Sequence, residues 1–122
     1  TIYGNKLIRY RNINNIKLNN NIVFDLDYFN NVTNLELKDM NLFDFPSKIF
    51  QMVNLIELNM NKNYIKEIPP EINKLKKLKK LKIKYNLIDK VPLEFNDLTQ
   101  LEFLNIGFNK LRIFDSKINN II

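Results

Sequence analysis

Three lysines set two residues apart, Lys80, Lys82 and Lys84, and two glutamates, Glu36 and Glu57, are the side chains of this chain with the clearest potential to act on another molecule. Residues that alternate along an extended strand project from one face, so the lysines form a line of positive charge able to steer an acidic partner. A pair of carboxylates on neighbouring strands is the minimum for general acid–base work. No pocket is expected beside Glu36 and Glu57, however, and they read as ordinary surface groups. The chain has no His and no Cys, which removes a His relay, a thiol nucleophile, the usual structural zinc sites and a disulfide framework. No catalytic, cofactor-binding or metal-ligating residue is assigned, and the chain reads as a non-enzyme.

What must position these groups is a sequence pattern written three times. Leu55-x-x-Leu58-x-Met60-x-x-Asn63-x-Ile65-x-x-Ile68-Pro69 returns as Leu78-x-x-Leu81-x-Ile83-x-x-Asn86-x-Ile88-x-x-Val91-Pro92. Its first half returns again as Leu101-x-x-Leu104-x-Ile106-x-x-Asn109-x-Leu111, a period of 23 residues. A fixed period of this size marks a solenoid. The phase extends backwards through Val32, Leu35, Leu37, Leu42, Phe45, Pro46, Ile49 and Met52. A unit shorter by four precedes it: Ile13, Ile16, Leu18, Asn21, Val23, Leu26 and Phe29. Ile2 to Arg11 read as the tail of a still earlier unit. Five repeats therefore start near residues 13, 32, 55, 78 and 101, after an N-terminal remnant.

Within each repeat the last two apolar residues of Leu-x-x-Leu-x-Leu are two apart, which suits a strand with one face in the core. Strands are expected near Asn15–Leu18, Asn34–Leu37, Glu57–Met60, Lys80–Ile83 and Phe103–Ile106. Asparagine accounts for 22 residues, yet four of the five units carry it at the ninth position, at Asn21, Asn63, Asn86 and Asn109. A buried Asn there can bond to backbone groups of its own turn and of the next coil. Met40, with Asn41 one place late, is the exception. The return leg, with apolar residues three apart behind a proline, suits a short 3₁₀ or α turn starting at the proline.

On these residues the chain resembles the leucine-rich repeat family, in the subclass with repeats of about 23 residues and a proline on the return path, here Pro46, Pro69 and Pro92. The first unit lacks the proline, and Asp115 stands where the last should have one. The resemblance implies an α/β, right-handed solenoid with a parallel sheet on its concave face and short 3₁₀ or α turns on its convex face, forming one domain over residues 1–122. It implies a non-catalytic protein–protein interaction module or scaffold that binds another protein on the concave face. Extracellular relatives close their ends with cysteine-bearing caps, so a cysteine-free chain implies cytoplasmic residence. A sixth repeat would begin just past Ile122, which leads us to expect a segment of a longer chain, or a larger complex or adjoining domain covering an open end.

Outward positions of the strands are the third, fifth, seventh and eighth of each repeat. They supply the partner-binding candidates: Glu36 and Lys38; Glu57, Asn59 and Asn61; Lys80, Lys82, Lys84 and Tyr85; Phe103, Asn105 and Phe108. From Lys74 to Lys90 the net charge is +7, and over the rest of the chain it is −1. Glu57 can neighbour Lys80, while Lys82 and Lys84 are expected to lack a counter-charge, an arrangement that would suit an acidic partner. The competing explanation is a solvated face rich in Lys and Asn through coding bias. Tyr85 and Phe108 can stack between coils, whereas Phe103 at a third position should face solvent and serve as a contact residue. A second function class is a ribonucleoprotein or other large assembly contacting nucleic acid through the Lys74–Lys90 repeat. Against it, Glu36, Asp39 and Glu57 would repel phosphate, and Arg occurs only as Arg9, Arg11 and Arg112. Apolar runs are far below membrane-spanning length, so no membrane insertion is expected.

Overall fold

A computed structural model describes residues 7–9 as backbone, and residues 30 and 32–112. Five three-residue strands form one sheet: β1 (Leu7–Arg9), β2 (Asn34–Glu36), β3 (Glu57–Asn59), β4 (Lys80–Lys82) and β5 (Phe103–Asn105). They lie side by side in chain order, each pair parallel. Leu35, Leu58, Leu81 and Leu104 face one another in register and are buried, while the residues on either side of each are not. That alternation is what the period-two pattern dictates. Each strand from β2 to β5 ends one residue before the expected limit. Hydrogen bonding between coils nevertheless continues, through Leu37 N–H to Asn59 C=O at 2.8 Å, Met60 N–H to Lys82 C=O and Ile83 N–H to Asn105 C=O.

The first strand is not the one expected. The place beside β2 belongs to Leu7–Arg9, with Ile8 in register with Leu35. Asn15–Leu18 and Asn21 lie outside the described residues. The step from β1 to β2 is four residues longer than the common period. Leu7, Ile8 and Arg9 had been read as the tail of an earlier unit. Apolar residues recur at three-residue intervals through Leu7, Tyr10, Ile13 and Ile16, so more than one phase fits the spacing in this stretch.

Each return leg is a 3₁₀ turn: η1 (Ser47–Gln51), η2 (Pro70–Lys74) and η3 (Leu93–Asp97). Pro46, Pro69 and Pro92 stand one residue before them as N-caps, with φ of −61°, −69° and −71°. The ring fixes φ, and the missing N–H is no loss at a turn entry. Ile49, Ile72 and Phe95 are buried from these turns against the back of the strand leucines. Leu55 N–H then bonds Met52 C=O, and Leu78 and Leu101 repeat that bond to Leu75 and Leu98, which turns the chain back into the next strand. One continuous core runs from Val32 to Ile106.

The ninth-position asparagines join the coils. Asn86 Oδ1 accepts the Ile65 N–H of the preceding coil at 3.0 Å, and its Nδ2 donates to the carbonyls of Met60, Ile83 and Lys84. Asn63 does the same with Met40 and Leu42 N–H and with the carbonyls of Leu37, Met60 and Asn61. Asn109 repeats it with Ile88, Ile83, Ile106 and Gly107. The residue before the ninth position takes left-handed backbone in every described coil: Asp39 (φ 57°), Lys62 (59°), Tyr85 (59°) and Phe108 (54°). In the coil where Met40 replaces the ladder residue, Asn41 adopts it as well, at φ 55°.

Candidate functional site

The outward face of the sheet carries two side chains per strand. On β2 to β5 these are Asn34 and Glu36, Glu57 and Asn59, Lys80 and Lys82, and Phe103 and Asn105, none of them buried. Beyond the strand ends, Lys38, Asn61, Lys84, Tyr85 and Phe108 continue the columns and are likewise accessible. The candidates named from the sequence are thus all accessible, those on β2 to β5 from the outward face of the sheet. The Leu between the two outward residues of each strand is anchored in the core, which fixes the backbone beneath them.

The charge pattern within that surface differs from expectation. Glu57 does not serve Lys80, its partner in register; its Oε1 takes the Lys82 ammonium at 2.9 Å, and its Oε2 accepts from Asn34 Nδ2 at 3.2 Å. Lys82 is therefore compensated, contrary to the sequence expectation. A lysine stem is long enough to cross to the diagonal neighbour, about 7–8 Å away in Cα terms. Both partners are about a third exposed, so the pair contributes little to stability, about 0–1 kcal/mol. Among the described residues, no carboxylate lies within ion-pair distance of Lys80 or Lys84. A shallow depression of about 180 Å³, lined by Asn34, Leu35, Glu36, Glu57, Asn59 and Lys82, lies over the two glutamates. No pocket was expected there.

Lys84 is held differently. Its ammonium lies 5.5 Å from the centre of the Tyr85 ring and 5.3 Å from that of Phe108, within cation–π range. The two rings stack on each other, centroids 4.4 Å apart with 11° between their planes. Tyr85 and Phe108 do stack between adjacent coils, and both remain exposed, Phe108 by 67%. Phe103 faces solvent as its third position requires, at 43%. Sequence reasoning missed a second exposed stack, Phe43 on Tyr64 at 5.3 Å and 20°. Neither residue shares a repeat position with the other, so the periodic alignment gave no signal. Among the described residues no cluster of acidic side chains could hold a metal ion, and no helix is long and apolar enough to cross a membrane.

Comparison with known proteins agrees with this geometry. Residues 53–94 match the family described as Leucine Rich repeats, two copies. Residues 53–94 carry leucine-rich repeats. A leucine-rich repeat protein of Leptospira interrogans superimposes with a TM-score of 0.62 at 25% identity, over 93% of this chain and 33% of that one. Internalin C2 of Listeria monocytogenes superimposes with a TM-score of 0.64 at 19% identity, over 75% of this chain and 40% of that one, and shows the shared fold. The chain spans well under two thirds of either protein's length. No curated protein matches it.

Proposed function

We propose that this leucine-rich repeat chain is a non-catalytic protein-interaction module that binds an acidic protein partner across the outward face of its sheet. The observation that carries this reading is the mixture on β4 and β5. Exposed Lys80 lies in register beside exposed Phe103, so a positive charge adjoins an apolar anchor on the last two strands of the described sheet, whose backbone is fixed by the core. Interfaces draw their energy from a few such aromatic and charged groups, and charge of one sign speeds encounter with an oppositely charged partner. Five strands about 4.8 Å apart give a face of protein-contact scale, not a small-molecule cleft. Asn105 extends this contact surface beside Phe103, and Glu36, Lys38, Glu57, Asn59 and Asn61 extend it on the other side. The cysteine-free composition fits a cytoplasmic setting.

The test uses partners captured from the native cell and identified by mass spectrometry. Replacing Lys80→Glu and Phe103→Ser together is expected to remove those that bind the sheet face. Replacing Lys76→Glu and Lys77→Glu, both exposed in the turn between η2 and β4 and not on the strand itself, is expected to retain them. Retention of every partner by the first variant contradicts the reading.

A further inference from the structure

Four of the exposed large apolar side chains lie where the strands end, one on each successive coil: Phe43, Tyr64, Tyr85 and Phe108. Tyr64 directly follows ladder Asn63, and Tyr85 and Phe108 directly precede Asn86 and Asn109. Phe43 follows Leu42, whose N–H is held by Asn63 Oδ1 and whose carbonyl accepts the Tyr64 N–H at 2.7 Å. The four rings form two stacked pairs, Phe43 with Tyr64 and Tyr85 with Phe108, and their order along successive coils sets the two pairs one after the other along one rim of the stack. At about 4.8 Å per coil the rim spans about 14 Å, the length of roughly four extended residues.

Two features separate this rim from incidental surface. Tyr85 and Phe108 occupy left-handed backbone, which costs a bulky L-residue about 1–2 kcal/mol relative to Gly, and which Asn tolerates better. This chain has 22 asparagines and places aromatics there instead. The rim is also flanked by cations. Lys62, one coil before Tyr85 at the same repeat position, bonds through its N–H to Lys84 C=O at 2.9 Å, and Lys110 follows Phe108 by two residues. A Cβ built on Gly107 would lie 3.7 Å from Lys84 Cε and 3.9 Å from Cγ. The Lys84 stem thus crosses the glycine on its way to the rings and joins the rim to the sheet face.

We infer that this aromatic rim is a second contact surface, which takes an extended acidic segment of a protein partner with its apolar side chains on the ring pairs and its carboxylates on Lys62, Lys84 and Lys110. The inference rests on the protein-binding reading above and adds to it a site and a ligand chemistry. A peptide suits the rim better than an anionic bilayer does. Asp44 beside Phe43, and Asp39 beside the ladder, are exposed among the rings and would face lipid headgroups together, whereas a peptide can place its carboxylates selectively against lysines.

The experiment selects a random peptide library on three immobilised proteins: the wild type, a rim variant (Tyr85→Asn with Phe108→Asn) and a sheet-face variant (Lys80→Glu with Phe103→Ser). Asn accepts the left-handed backbone, so the rim variant should melt no lower than the wild type. The expected result is enrichment on the wild type of peptides combining aromatic or aliphatic residues with Asp or Glu, with affinity about tenfold lower on the rim variant. The same peptides recovered with equal affinity on the rim variant overturn the inference. Their loss on the sheet-face variant in that case would leave the broader reading standing, and their retention there as well would count against both. Co-sedimentation of the wild type, but not the rim variant, with phosphatidylserine vesicles in the absence of rim-dependent peptides assigns the rim to lipid and equally overturns it.

Discussion

Asn86 Nδ2 serves three carbonyls and its Oδ1 one N–H, from a side chain only 5% exposed. Leaving a buried polar group unpaired costs about 1–3 kcal/mol, and Asn86→Leu strands more than one. We expect it to lower unfolding free energy by at least about 3 kcal/mol in urea titration. Asn109→Leu should cost less, because Asn109 is only half-buried and water can take over part of its role. Equal or negligible costs at both sites would contradict the ladder. These asparagines were legible in the sequence because a shared phase with the leucines marks them against a high Asn background. The Lys82–Glu57 pair was not, since register predicts the residue opposite and says nothing about a flexible stem reaching the diagonal. At the same scale, Lys84→Glu is expected to slow partner association more at low salt than at high, by a larger factor than Lys82→Glu. Stopped-flow or surface-based kinetics would check the order, and a larger effect at Lys82 would contradict the charge assignment.

The turns that follow the strands combine a predictable core with an unpredicted backbone. The proline, the apolar residues three apart and the short 3₁₀ turn followed directly from spacing, and Pro46, Pro69 and Pro92 fall within one residue of the expected turn start. The left-handed residue at every eighth position left no trace in residue type: Asp39, Lys62, Tyr85 and Phe108 share no chemistry. It is imposed by the need to bring the ninth residue under the coil. Because Lys62 is exposed and left-handed, Lys62→Asn should raise stability by about 0.5–1 kcal/mol, relieving part of the conformational cost. Thermal and urea unfolding would measure it, and a destabilisation of that size would mean the Lys62 side chain contributes an interaction that outweighs the strain. The first unit has an ambiguous phase in the sequence for a related reason. Where turn residues and apolar residues both recur at short intervals, as around Tyr10 and Ile13, the phase loses its single solution.

For the molecule as a whole, stability and recognition come from one arrangement. Coils contact only their neighbours, so the core grows by stacking, and the same stacking brings outward residues of successive repeats into columns. Lys80 and Phe103 belong to one such column, with Glu57 one strand further away. The native chain has no cysteine, so engineered pairs report on this register without background. Neighbouring strands are about 4.8 Å apart, inside the roughly 4.4–6.8 Å Cα range of disulfides, whereas alternate strands are about twice as far. The most direct measurement is therefore disulfide formation in Lys80→Cys/Phe103→Cys compared with Glu57→Cys/Phe103→Cys under mild oxidation. Rapid intramolecular cross-linking of the first pair and none of the second is predicted. Cross-linking of the second pair, or failure of the first in the folded protein, would contradict a docking face built from in-register parallel coils.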